Sequence, residues 1–171
     1  HGNRTNYSNA FAYGGWNDDT YNPKYKIRPT SCNNLFMSSE KLTDTKVPID
    51  LTHPGGNQKF GLFCSATKLK TIRKLIVNEN TVFTTSSGNN SFSKCNRLEN
   101  ITFEGIIGKN ISLLDSPLLS KASIENILGC LSESATGQTL TLSETAVNNA
   151  FTEDEWNTLI ANKTNWTISL V

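Results

Sequence analysis

The sequence predicts an α/β chain wound into a short right-handed solenoid, with one short strand per turn forming a parallel sheet, helices in the C-terminal turns and capped ends. Three observations predict it. A ten-residue segment recurs at nearly constant spacing, a short apolar strand follows each copy, and amphipathic helices alternate with strands in the last third of the chain. A length of 171 residues suits one domain that buries roughly 70% of its unfolded surface. Within the single domain 1–171, residues 1–30 read as an N-terminal cap or degenerate repeat, 31–110 as repeats, and 111–171 as helix-containing repeats with a cap.

The recurring segments align without gaps as FMSSEKLTDT from Phe36, FCSATKLKTI from Phe63 and FSKCNRLENI from Phe92. The shared pattern is Phe, two residues, a small residue, two residues, Leu, two residues, then Ile or Thr. The Phe positions are 27 and 29 residues apart, inside the range of roughly 20–29 residues that leucine-rich repeats occupy. Strands are expected at Thr45–Val47, Ile72–Val77 and Ile101–Phe103, their apolar positions facing inward. One turn cannot bury that face alone, so neighbouring turns must stack on it. The small position (Ser39, Ala66, Cys95) is where the chain should bend tightly, which explains Cys95 by packing. A weaker copy begins at Phe11 but has Asn17 at the Leu position, and residues 1–30 carry Trp16, Tyr21 and Tyr25 among several aromatics.

Farther along, Ile124, Ile127, Leu128 and Leu131 recur at three- and four-residue steps, predicting a helix over 119–131 with Ser120 as N-cap and Thr136-Gly137 as its end. Residues 139–142 read as a strand. Thr152 and Glu155 form a capping box, Phe151 can pack on Trp156, and the helix from Glu153 to about Asn162 gathers Trp156, Leu159 and Ile160 on one face. Trp166, Ile168 and Leu170 alternate with Thr167 and Ser169 as a final half-buried strand on which Val171 ends. The helices should stand in for the irregular segment of the last turns and cap the core.

Composition supports this reading. The chain holds 21 Asn, 20 Thr and 17 Ser but only 31 charged residues, with net charge +1 and 36% hydrophobic residues. A low apolar fraction suffices for a narrow core, while short polar side chains fill turns and outward positions. Near-neutrality argues against a nucleic-acid partner, which selects a basic face. The longest apolar runs are too short for a transmembrane segment. The first residues lack a signal-peptide core and an initiator Met, so the chain reads as a processed chain or excised fragment.

The stretch FSKCNRLENITF, from Phe92 to Phe103, resembles the BspA-like leucine-rich repeat, whose units run through Phe, Cys, Leu and Ile at this spacing. The segment from Glu104 to Val171 is similar to the C-terminal end of such repeat proteins on bacterial surfaces and in prophage tail-region genes. The resemblance covers about residues 31–171. The earlier copies depart from it, with Ser39 and Ala66 at the Cys position and Thr45 at the Ile position. It implies an extracellular, cell-surface or virion-associated location and a role in attachment.

No catalytic set emerges. His53 lies in LTHPGGN, a turn between repeats, without a marked nucleophile; His1 reads as a frayed end. Asp18, Asp19 and Asp50 sit in loop-like settings, and NDDT lacks the alternating ligands of a calcium loop. The cysteines at 32, 64, 95 and 130 form no CxxC pair, so a zinc site is not expected and whether any pair stays open. GGNQKFG and EGIIGK match no phosphate-binding loop, so no cofactor is expected. Asn-x-Ser/Thr sequons begin at Asn3, Asn6, Asn89, Asn100, Asn110, Asn162 and Asn165, but a chain this rich in Asn, Ser and Thr makes several by chance. No N-glycosylation is expected. The expectation is a non-enzymatic recognition or adhesion module for a protein or carbohydrate ligand; the alternative is a structural spacer or assembly domain of a larger surface or phage-tail protein. Candidate contact residues are Trp16, Tyr21 and Tyr25, which read alternatively as the cap core, and Lys46, Arg73 and Thr102, which read alternatively as a solvated row on successive strands.

Overall fold

The computed structural model describes residues 23–33, 35–52, 60–84 and 88–171 together with Thr5 and Asn6; for Thr5, Asn6, residues 30–33 and Phe60 it describes the backbone alone. It is a mixed α/β chain of parallel strands and three helices. The aromatic reading of residues 7–22 and the turn at His53 lie outside the described residues.

Each Phe-to-Leu segment folds as consecutive tight turns. The N–H of the small residue donates to the Phe carbonyl (Ser39 to Phe36 3.1 Å, Ala66 to Phe63 2.8 Å, Cys95 to Phe92 3.2 Å), and the Leu69 and Leu98 N–H groups donate to Ala66 and Cys95. The conformational strain falls one residue earlier than expected: Ser38, Ser65 and Lys94 adopt φ of 55°, 63° and 59°, a region costly for side-chain-bearing residues. The next residue is small because it is buried, and Cys95 Sγ reaches the Phe63 carbonyl at 3.3 Å. A further copy, Leu113-xx-Ser116-xx-Leu119, makes the same two backbone hydrogen bonds, with Asp115 at ordinary φ, and Ser116 Oγ donates to the Cys95 carbonyl at 3.3 Å. Leu replaces Phe there and the interval drops to 21 residues, so the pattern is hidden in the sequence.

Strands form on both sides of these turns, not once per unit. A first row precedes the turns: β1 (Thr5–Asn6), β2 (Pro29–Asn33) and β4 (Phe60–Gly61) pair in parallel, and farther along so do β7 (Ile111–Leu113), β8 (Gln138–Leu142) and β9 (Trp166–Leu170). Between these sheets, Ser91 accepts the Phe63 N–H at 2.8 Å and Asn90 Nδ2 donates to the Ser112 carbonyl at 2.9 Å. A second row follows the turns: Ile27 bridges β3 (Ile49–Asp50), which pairs with β5 (Thr71–Val77), which pairs with β6 (Asn100–Gly105). The predicted strand at Thr45–Val47 does not form. Lys46 sits at φ 59° with its N–H on Asp44 Oδ1, and Pro48 has no N–H, so pairing resumes only at Ile49. At the far end of β6, Gly105 has φ 104°, and a Cβ there would run into the Val77 carbonyl oxygen.

The core is one continuous cluster between these elements. Phe36 and Phe63 stack at 5.5 Å and 9°, and Phe63 and Phe92 at 6.0 Å and 24°. Phe83 and Phe103 close the column by edge contacts. Leu42, Leu69, Leu98 and Leu119 form a parallel buried column.

Helix α1 (Lys121–Cys130) lies where the next strand of the second row would lie. Ser120 caps it as predicted, accepting the Ser123 N–H at 3.3 Å. Its side chains replace a strand edge: Ser123 Oγ accepts the Ile101 N–H at 3.0 Å, and the Asn126 carboxamide accepts from the Phe103 N–H at 2.6 Å while donating to the Phe103 carbonyl at 3.2 Å. The helix stops at Cys130 rather than at Thr136-Gly137; Gly137 instead turns, at φ 65°, into β8. Helix α2 (Glu144–Ala150) was not expected, because seven residues burying only Ala146 and Val147 leave no periodic signature. Helix α3 (Glu153–Ile160) ends two residues early but carries the predicted capping box, and Phe151 packs on Trp156 at 5.7 Å. Trp166 Nε1 and Asn165 Nδ2 both donate to the Ser132 carbonyl at 2.9 Å, fixing the start of β9. Asn165 therefore has its amide engaged, and Val171 is exposed rather than buried.

Two substitutions test this packing. Phe63→Ala removes the middle ring of the column and should cost about 3–5 kcal/mol, read as a lowered urea midpoint. Asn126→Ala leaves the Phe103 N–H unpaired and the Phe103 carbonyl to the weak Cys130 thiol donor alone, and should cost about 1–3 kcal/mol, with amide hydrogen exchange accelerated along β6 more than along β8.

Candidate functional site

The outward side chains divide by row. On the second row every ion pair among the described strand residues joins neighbouring units: Lys26 and Arg28 to Asp50 (3.5 and 3.2 Å), Arg73 to Asp44 (2.6 Å), Lys70 to Glu99 (3.6 Å) and Lys74 to Glu104 (2.6 Å). Exposed pairs of this kind contribute about 0–1 kcal/mol each, so their main effect is to consume charge. Lys121 continues the series between helices, reaching Glu155 at 2.9 Å and lying 4.8 Å from the Phe151 ring centre.

Asp50 differs from the rest. Predicted in a loop, it lies in β3 with its side chain 7% exposed. Burial alone would raise its pKa, but Thr52 donates to Oδ1 from both N–H (3.1 Å) and hydroxyl (2.7 Å), and two cations face Oδ2. The favourable contacts outweigh burial and hold the carboxyl below its ordinary value. The alternation of Lys26 and Arg28 one unit earlier was the available signal for this partner set.

The residues singled out from sequence are placed as follows. Trp16 and Tyr21 lie outside the described residues, as do His53, Asp18 and Asp19. Tyr25 is 81% exposed. Arg73 and Thr102 follow the paired Ile72 and Ile101, whereas Lys46 lies outside any strand at φ 59°. Arg73 is turned onto Asp44 in a bidentate contact, with Nε at 3.0 Å and its N–H on Thr45 Oγ1. Thr102 points to solvent. Asp44 thus meets two of these residues, accepting from the Lys46 N–H and from the Arg73 guanidinium.

The first row is chemically distinct. On β7, β8 and β9 the outward positions in register are Ser112, Thr141 and Ser169, and beside them Thr139 and Thr167. Asn110 joins them by accepting the Thr139 N–H on Oδ1 at 2.7 Å. A cleft of about 210 Å³ opens here, lined by Phe83, Thr84, Asn90, Asn110, Ile111, Ser112, Thr139 and Thr141. Sequence reading missed these residues, although the hydroxyl at every second position of QTLTL and WTISL was visible. A wider, open depression of about 460 Å³ lies between α1 and α3 beside Lys121 and Phe151.

Cys64, Cys95 and Cys130 carry free thiols. Burial pushes the Cys95 thiol up to about 12 and raises that of Cys130, so neither is a thiolate at neutral pH. Among the described residues no group of three or more His, Cys, Asp or Glu is placed to hold a metal, and no helix is long and apolar enough to cross a membrane. Comparison of the chain with protein-family models, with characterised proteins and with solved structures found no match.

The Asp50 cluster gives a pH test. Its folded pKa is depressed, so its stabilisation is fully present above the ordinary carboxylate value of 3.8 and is lost as pH falls through the lowered one. Asp50→Asn should destabilise the protein by about 1–3 kcal/mol at pH 7, and the gap in urea midpoint from the native chain should close as the pH falls below 3.8 and through the lowered folded value.

Proposed function

We propose that the chain is a short leucine-rich-repeat solenoid of the BspA-like kind that acts as a non-enzymatic recognition module for a protein or carbohydrate on a cell surface. One observation carries the reading. The interior positions are nearly constant from unit to unit, as Phe or Leu, a small residue and Leu, whereas the outward positions change freely without touching the core. Such a scaffold separates folding from contact chemistry, which is what extended binding surfaces built from repeats exploit. Parallel pairing of strands from successive units supports the coil, and the attachment role follows from the resemblance together with this surface. An extracellular or virion-associated location belongs to the same proposal.

The inter-unit ion pairs favour a second reading, a stiff spacer or assembly domain of a larger protein. The readings separate on an array of glycans and matrix proteins probed with the whole chain. Recognition predicts at least one ligand bound with a Kd in the range of about 1 mM or tighter. No ligand above background, while a longer parent chain still binds, overturns recognition in favour of the spacer.

A further inference from the structure

We propose that the cleft beside β7 and β8 is a binding site for one ring of a neutral carbohydrate. The inference deepens the recognition reading and rests on it. Phe83 and Ile111 form the floor of the cleft but are only 1% and 2% exposed, so the surface a ligand meets is that of the Thr84, Thr139 and Thr141 side chains, each a methyl beside a hydroxyl, with the amides of Asn90 and Asn110. That division matches a sugar ring, which offers an apolar C–H face and an equatorial belt of groups that both donate and accept. A volume of about 210 Å³ admits a single ring.

The polar groups are available. The Thr139 and Thr141 hydroxyls have no hydrogen-bond partner among the described residues, and Asn110 spends Oδ1 on the Thr139 N–H, which leaves its Nδ2 to donate. Asn90 is held at both ends, donating to the Ser112 carbonyl at 2.9 Å and accepting the Phe92 N–H at 3.1 Å. Ser112 Oγ is the one buried side-chain polar atom among the described residues without a partner. Such an atom calls for an explanation; a rotation about χ1, on a strand where alternative rotamers are common, brings it to the ligand. The groups stand on paired strands, so little ordering is lost on binding.

Charge decides between ligand classes. Among the described residues no charged side chain lines this cleft, whereas the second row carries several ion pairs. A phosphorylated, sulfated or sialylated ligand would find no counter-charge here, and an extended peptide would need an open strand edge, which β8 lacks because it is paired on both sides and which β7 offers with its Ser112 carbonyl already taken by Asn90.

The test titrates the whole isotope-labelled chain with cello-, malto-, chito- and manno-oligosaccharides, with sialyllactose, a heparin fragment and a mixed peptide library as comparators. At least one neutral oligosaccharide should shift amide signals of Asn90, β7 and β8, with affinity unchanged between low and high salt. The isosteric pair Thr139→Val with Thr141→Val should weaken it by about 10-fold or more at unchanged melting temperature. Absence of any such shift, survival of binding in the double variant, or preference for a charged comparator or peptide overturns the site. If an array ligand is retained by the double variant and lost on Thr102→Arg, recognition stands and this cleft falls; if nothing binds on the array, the recognition reading itself has failed.

Discussion

Turning the chain inside a packed core requires every backbone polar group at the bend to find a partner, and here the neighbouring unit supplies it. The Phe36 N–H donates to the Leu62 carbonyl at 2.7 Å and the Phe63 N–H to Ser91 at 2.8 Å; Ser38 and Ser65 donate to Cys64 and Ser93. After the turn, the Lys70 and Thr71 N–H groups share the Thr43 carbonyl, and Glu99 and Asn100 share that of Lys70. An unpaired buried group would cost about 1–3 kcal/mol, so one unit cannot stand without the next. The stacked Phe rings and the buried small residues follow from that spacing. Where the turn sequence changes, the rule persists: Asp115 offers its carboxylate to the Lys94 N–H at 2.8 Å in place of a backbone carbonyl.

The chemistry of the two rows follows from how they are built. Second-row side chains flank strands and turns that bring Lys or Arg of one unit beside Asp or Glu of the next, so charge there is neutralised across unit boundaries. First-row strands β7, β8 and β9 present hydroxyls above the buried Leu113, Leu140, Leu142 and Trp166. One row is occupied with itself, and the other has hydrogen-bonding capacity to spare.

The interior was legible in the sequence because it repeats. Phe36, Phe63 and Phe92 and the three Leu residues behind them announce their burial by spacing alone, and the capping of α1 and α3 is local chemistry within four residues. What stayed hidden lay partly in local backbone chemistry and partly in contacts between units. The failure of pairing at Thr45–Val47 comes from Asp44 capturing the Lys46 N–H; the burial of Asp50 comes from cations 22 and 24 residues earlier. The copy at Leu113 lost its Phe, and α2 is too short to show a face. Of the candidate site, the salt bridge that occupies Arg73 and the hydroxyl cleft both require knowing which units touch.

The carboxamide of Asn126 has a consequence beyond stability. A sheet edge is a template, and any passing extended chain can extend it. On β6 that template is answered by helix side chains, Ser123 accepting from Ile101 and Asn126 presenting one acceptor and one donor to Phe103, on a helix whose own backbone is already satisfied. With those positions taken, an incoming strand finds the Ile101 and Phe103 groups of this edge already engaged, so α1 closes the second row where a further strand would otherwise pair.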